Sequence, residues 1–163
     1  ILPILYDKLR TGGVCYIFTN WKFSGLISQF CAKETGFNVR MQLVVVKNNF
    51  GMGYGFRNQY ELILVLEKGK HKYNRNDVSN VQKMENILHD ANTHPHEKGV
   101  GLLKLLIEHS SKEGDLVLDC FAGSGSTLVA CKQLKRNFIG IEIDEHWCKI
   151  AQDRIKNVSN TLF

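Results

Sequence analysis

Proline occurs only twice in the 163 residues, at Pro3 and Pro95, and no run approaches eighteen apolar residues. The second absence leaves no candidate for a membrane-spanning helix. Cysteine is present but lacks its informative patterns. Cys15, Cys31, Cys120, Cys131 and Cys148 are odd in number, scattered and free of any C-x-x-C pair. Neither a disulfide framework nor a zinc knuckle is therefore expected, and the thiols read as reduced core residues. His94 and His96 flank Pro95 with no third ligand at metal-binding spacing, so no metal is expected. The chain has no internal repeat and no low-complexity tract. Its first residues show neither the basic flank nor the small-residue cleavage site of a signal peptide, and the expected location is the cytoplasm.

What is present fits one globular domain: 163 residues, 44% of them hydrophobic, with a net charge of +5 that suits a polyanionic partner better than an acidic protein surface. The informative stretch is Leu116-Val117-Leu118-Asp119-Cys120-Phe121-Ala122-Gly123-Ser124-Gly125-Ser126-Thr127. A short apolar run ends in an acid, passes two glycines spaced by one residue, and enters an amphipathic segment over 126–134. This pattern predicts strand, tight turn and helix. A second apolar run at 138–143 delivers Glu142 nineteen residues after Gly123. Such a layout is half of a nucleotide-binding α/β unit, in which amides at the turn approach a ligand and the acid takes two ribose hydroxyls. A dinucleotide fingerprint would place a third glycine at position 128, where this chain has Leu128. A ribose ligand without a pyrophosphate is thus indicated, which disfavours a nicotinamide oxidoreductase.

Upstream, Leu2, Leu5 and Leu9 repeat at helical spacing before Gly12-Gly13, and Val14–Thr19 reads as a strand. Phe23, Leu26, Ile27, Phe30 and Cys31 form a helical stripe that Gly36 ends. The β-branched runs 39–46 and 61–66 read as strands. Between them Gly51-Met52-Gly53-Tyr54-Gly55-Phe56-Arg57 leads into a strand rather than a helix, so it reads as a connection rather than a phosphate cradle. From 67 to 93 periodicity fades and cations gather, with Lys70, Lys72, Arg75 and Lys83 the candidate DNA-facing residues. A solvated loop without a partner has the same signature. Leu102, Leu103, Leu106 and Ile107 then mark a helix, and Trp147, Ile150, Ala151 and Ile155 a last one.

Three blocks, in this order and spacing, resemble the beta group of prokaryotic amino-methyltransferases that act on adenine N6 or cytosine N4 of DNA. His94-Pro95-His96-Glu97-Lys98 is similar to the family's HPxEKP block, Leu118 to Thr127 to its LDPFxGSGTT, and Ile139-Gly140-Ile141-Glu142 to its IGIE strand, followed by A-x-x-R-I at 151–155. The Gly12-Gly13 strand and Tyr60-Glu61-Leu62-Ile63-Leu64 match further segments, so the resemblance spans nearly the whole chain. It implies a bacterial or phage-encoded enzyme with an α/β, Rossmann-like S-adenosylmethionine-dependent methyltransferase fold. The sheet would be mostly parallel with an antiparallel hairpin strand, in circularly permuted order. Residues 1–66 would form the catalytic-half segment, 67–93 a short target-recognition insertion and 94–163 the cofactor half.

The resemblance also implies site roles. Phe121, Gly123 and Gly125 would shape the methionine pocket, with Asp119, Ser124 and Thr127 cofactor-binding in the same block. Glu142 would hold the ribose hydroxyls, and His94, Glu97 and Lys98 would close over the methionine end, the Lys98 ammonium pairing with a carboxylate. Double-stranded DNA is the implied substrate, and a homodimer and a cognate restriction endonuclease are implied as partners. Departures are Cys120 and Gly99 where the family has proline. The family's catalytic tetrapeptide, D-P-P-Y or S-P-P-Y, is not among these residues, since the only prolines are Pro3 and Pro95. That motif lies upstream of the Gly-Gly segment in this order, so the sequence is expected to belong to a longer enzyme. The alternative is a chain that binds cofactor or DNA without catalysis.

Overall fold

The computed structural model describes residues 1–83 and 98–158. The chain divides into two compact units, Ile1–Met84 and Glu85–Phe163.

In the first unit, helix α1 (Leu2–Lys8), strand β1 (Val14–Thr19), helix α2 (Trp21–Glu34) and strands β2 (Asn38–Val46), β3 (Tyr60–Glu67) and β4 (Val81–Lys83) follow one another. The sheet order is β1-β3-β2-β4. Strand β3 lies antiparallel to both β1 and β2, while β4 runs parallel to β2. Its sequence explains its place: Leu62 to Leu66 are all buried, and a strand covered on both faces reads as a continuous apolar run rather than an alternation. Asn20 caps α2, its side chain accepting the amides of Lys22 and Phe23. The core is Cys31, Phe37, Leu64 and Leu66, with Tyr6 and Ile27 packed against it. The α2 stripe is split by this packing: Cys31 is buried, whereas Phe23, Leu26 and Phe30 are exposed. A helix laid across a narrow sheet buries only the residues on its line of contact.

The second unit runs through α3 (Val100–Ser110), β5 (Leu116–Asp119), α4 (Ser126–Gln133), β6 (Asn137–Gly140) and α5 (Glu145–Asn157). Strands β5 and β6 pair in parallel, Leu116 with Asn137 through Asp119 with Gly140. Helix α4 connects them and packs on α3, α5 and β6. This is a strand-helix-strand crossover. The core is Leu102, Leu103, Leu106 and Ile107 of α3, with Leu128 to Cys131 of α4 and Ala151 of α5. Leu116, Leu118 and Ile139 alternate onto the opposite face of the strand pair, which is exposed.

One mostly parallel sheet with an antiparallel hairpin strand was the expectation. Among the described residues the strands form a mixed four-stranded sheet and a parallel two-stranded one, because β3 opposes both its neighbours. Strand β4 falls inside the polar excursion, where a loop was expected: residues 81–83 within it pair with the side of β2 away from β3. No helix among the described residues is long and apolar enough to cross a membrane.

Candidate cofactor site

The C-terminal ends of parallel strands, where chain leaves the sheet for a helix, are where α/β folds collect ligand-facing groups. Here β5 delivers Asp119, and the next residues form a turn that its carboxylate organises: Asp119 Oδ1 accepts the Phe121 amide at 3.0 Å. The turn is sewn to the neighbouring strand as well. The Ala122 amide donates to the Ile141 carbonyl at 2.9 Å, and the Ile141 amide to the Asp119 carbonyl at 2.8 Å. Phe121 is left facing outward, 75% exposed.

Gly125 is where glycine is required. It takes a left-handed conformation, φ 83°, at the N-cap of α4, and a Cβ built there would lie 2.8 Å from the Ala151 Cβ. Helix α5 can approach the turn only because position 125 has no side chain. Between the glycines Ser124 is buried, and Arg154 from the third turn of α5 reaches it, Nη1 donating to its carbonyl at 3.0 Å and to its Oγ at 2.8 Å. Thr127 is half-buried in the first turn of α4.

Glu142 closes the arrangement. Its Oε2 accepts the Gly123 amide at 2.8 Å, and its Oε1 accepts the amides of Ile143 at 2.8 Å and Asp144 at 3.0 Å. Asp144 then caps α5 by accepting the His146 amide at 2.8 Å. Strand β6 ends at Gly140, short of the expected 138–143, so Glu142 stands two residues past the strand, and from there a single carboxylate clasps the glycine turn. An ionised carboxylate offers about four lone-pair directions, so three amides leave it close to saturated.

The structure brings Asp119, Phe121, Gly123, Ser124, Gly125, Thr127 and Glu142 into one patch. Lys98 stands, half-buried, directly ahead of the Gly99 N-cap of α3. His94 and Glu97 lie outside the described residues. Of the cations in the polar excursion, Lys70 and Lys72 are exposed beyond β3, Lys83 ends β4, and Arg75 is held by both oxygens of Asp77 at 2.9 Å. Residue-by-residue reading missed Arg154 and Gly140. The first was visible as the arginine of the A-x-x-R-I block. The second takes over a role looked for elsewhere: a Cβ on Gly140 would fall 2.5 Å from Leu128 Cδ1.

Cys120 is half-buried beside the turn, and burial, reinforced by the Asp119 charge, pushes its thiol above the ordinary value. A thiol whose ionisation is disfavoured is a poorer nucleophile.

With this clasp in place, comparison with known proteins decides the family. A family model described as DNA methylase (N6_N4_Mtase) matches residues 1–153. The chain belongs to the DNA methylase family. S-adenosylmethionine is the cofactor of this family. The chain is 26% identical over 179 residues to the Type II methyltransferase M.HpaI of Haemophilus parainfluenzae, covering 95% of itself and 57% of that protein. It therefore spans little more than half of that relative. Among solved structures, the M1.HpyAVI-SAM complex superposes with a TM-score of 0.82 at 29% identity, covering 94% of this chain and 79% of the other. The cytosine-N4-specific PvuII DNA methyltransferase superposes with a TM-score of 0.85 over 99% of this chain and 69% of its own, at 15% identity. The latter likeness is one of fold, and the fold is the Rossmann-like methyltransferase fold.

The groups of the patch fit this cofactor. An acceptor-only carboxylate just past a strand end suits a ribose diol, and the Asp119 carboxylate suits an ammonium.

Proposed function

We propose that this chain carries the cofactor-binding and DNA-facing parts of an S-adenosylmethionine-dependent DNA methyltransferase. It transfers a methyl group directly to the exocyclic amino nitrogen of a flipped base, adenine N6 in preference to cytosine N4. The observation that carries this reading is the clasp of Glu142 on the Gly123 amide, within a family whose members are DNA methylases.

Glu142 holds the ribose hydroxyls, exchanging one or more of its amide donors for them. Asp119, Ser124 and Thr127, with the backbone around Gly123 and Gly125, hold the amino-acid end, and Phe121 supplies an apolar wall. Lys98, with His94 and Glu97, covers the carboxylate. The cofactor supplies a methyl group activated on a sulfonium. Lys70, Lys72 and Lys83 face duplex DNA, and Arg75 joins them by releasing Asp77. A restriction endonuclease and a second copy of the chain are the partners this reading allows.

A second reading has one observation in its favour. With prolines only at Pro3 and Pro95, the chain holds no D-P-P-Y or S-P-P-Y tetrapeptide to orient the amino group, so alone it binds cofactor or DNA without transfer.

Calorimetric titration with S-adenosylmethionine tests the common part. Saturable binding is expected, with NAD giving none. Glu142→Ala and Glu142→Gln should each weaken it about 10- to 100-fold, the equivalent of a charge-assisted hydrogen bond at about 1.5–3 kcal/mol. Gln fails too because its amide nitrogen would face a backbone donor. Unchanged affinity in both variants would remove Glu142 from the site. Incorporation of labelled methyl into duplex DNA then separates the two readings.

A further inference from the structure

The connection between β2 and β3 does more than join them. Its stem is a continuation of the hairpin: the Lys47 amide donates to the Gln59 carbonyl at 2.8 Å and the Gly51 amide to the Asn58 carbonyl at 2.8 Å. Arg57 braces it, Nε donating to the Gly51 carbonyl at 2.9 Å while its guanidinium lies 3.8 Å from the centre of the Phe50 ring. Beyond that brace, glycines at 51, 53 and 55 alternate with Met52, Tyr54 and Phe56. These three side chains are fully exposed, at 102%, 103% and 109%.

A soluble surface does not ordinarily hold three large apolar or aromatic side chains out in water together. The alternating glycines, two of them at positive φ, give the intervening side chains freedom to turn toward whatever meets them. The surrounding chemistry narrows that partner. From Gly36 to Tyr60 the sequence has no Asp or Glu, and it carries Arg40, Lys47 and Arg57. Lys47 is paired with Glu61 at 2.9 Å, so Arg57, over the Phe50 ring, is the cation of the loop itself. Aromatic rings, a guanidinium plane and the amides of Asn48, Asn49, Asn58 and Gln59 are groups that stack on nucleobases and bond their edges.

We propose that the hairpin tip at 50–57 is a nucleobase-contacting wedge, which stacks Tyr54 and Phe56 on bases left unstacked in bound DNA. This rests on the DNA reading above and extends it to a segment that its sequence marks only as a connection. A base turned out of a duplex leaves unstacked neighbours, and apolar side chains inserted at such steps recover the lost stacking.

The test is fluorescence anisotropy with two probes, a fully paired 20-base-pair duplex and the same duplex with one base left unpaired. The chain is compared with Tyr54→Ser/Phe56→Ser and with Lys70→Ala/Lys72→Ala. The chain should prefer the unpaired-base probe. The Tyr54→Ser/Phe56→Ser variant should lose that preference and roughly tenfold affinity for each ring removed, with the salt dependence unchanged. The lysine variant should instead flatten the salt dependence and keep the preference. If the tip variant binds both probes as the unaltered chain does, the wedge is refuted and the DNA reading stands. If the unaltered chain binds neither probe, the DNA reading fails and the wedge with it. Self-association of the chain that vanishes in the tip variant, with DNA binding unaffected, would assign the tip to contact between copies and overturn the proposal. The melting of each variant, expected to match that of the unaltered chain because the altered side chains are exposed, checks the fold.

Discussion

Replacing Gly125 with alanine tests the packing that builds the glycine turn. Two costs arise in the folded state. The backbone stays at φ 83°, which for an L-residue costs about 1–2 kcal/mol. The new methyl group would also stand 2.8 Å from the Ala151 Cβ and 3.1 Å from its Cα. These belong to a buried helix position rather than to the tip of a flexible side chain, so α5 must shift, at about 1–3 kcal/mol. Loss of glycine freedom in the unfolded chain offsets about 0.4–1 kcal/mol. The net destabilisation is roughly 1–4.6 kcal/mol, or about 2–18 °C in Tm for a chain of this length.

The readout is available in the sequence. Trp21 and Trp147 are the only tryptophans, one in each unit, so a Trp21→Phe background leaves Trp147 on α5 to report the second unit during urea unfolding. Combining Gly125→Ala with Ala151→Gly removes the 2.8 Å contact but leaves the φ strain, and the new helix glycine costs about 1 kcal/mol. The cycle should therefore show a favourable coupling of about 1 kcal/mol or more. A Gly125→Ala chain within about 0.5 kcal/mol of the original, the ordinary range of a surface substitution, would refute the close approach of α5. A coupling of zero would refute the contact with Ala151 and leave backbone strain as the sole cause.

Gly140→Ala should cost about 1–3 kcal/mol by overpacking, and Leu128→Ala made with it should recover part of its own cavity cost, because the methyl 2.5 Å from Leu128 Cδ1 enters space that Leu128 vacates; additive unfolding energies would contradict this. Lys135 sits at φ 56° just past α4, where the Arg136 amide donates to the Cys131 carbonyl at 2.9 Å and the Lys135 amide to the Lys132 carbonyl at 3.2 Å, a turn that favours glycine. Lys135→Gly should raise stability by about 0.5–1 kcal/mol in the same urea assay, despite losing a largely exposed pairing with Glu113. Burial, with the Asp119 charge second, pushes the Cys131 thiol up to about 11, against about 8.5 in an unfolded chain. Because its folded value is raised, the stabilisation it gives is complete below about pH 8.5 and fades as pH climbs through 11. The urea midpoint should fall between pH 8.5 and 10 more steeply for the original chain than for Cys131→Ala, and parallel profiles would contradict the assignment.

Most of the fold was legible because its elements carry strong local signals. Val14–Thr19 is bounded correctly from the glycine pair and its apolar run, and β3, read as 61–66 from its apolar run, extends one residue further at each end to Tyr60–Glu67. Strand β4 was not legible, because Val81, Gln82 and Lys83 have no periodicity of their own and become a strand only by pairing with Val44, Val45 and Val46. The α2 stripe misled in the opposite sense. Spacing alone places Phe23, Leu26 and Phe30 beside Cys31, yet which part of a stripe is covered depends on what lies across it.

The glycine turn shows how a motif can be read correctly and its physics still be incomplete. Leu128 in place of a third glycine reads as the loss of a close helix-to-pyrophosphate approach. The structure keeps the close packing and moves the glycine: Leu128 lies against Gly140, whose missing Cβ would otherwise collide with it, so helix α4 still seats on β6. In the dinucleotide fingerprint the third glycine serves this helix-to-strand contact, whereas the first two shape the turn. The chain thus retains the two that approach a ligand and meets the third requirement from the opposite element, twelve residues later. The Glu142 carboxylate, which already accepts the Gly123 amide, belongs to both ligand classes, because an acid at this place takes ribose hydroxyls in dinucleotide sites as well. Neither Leu128 nor Glu142 separates the two alone, and the titration of S-adenosylmethionine against NAD is the measurement that does.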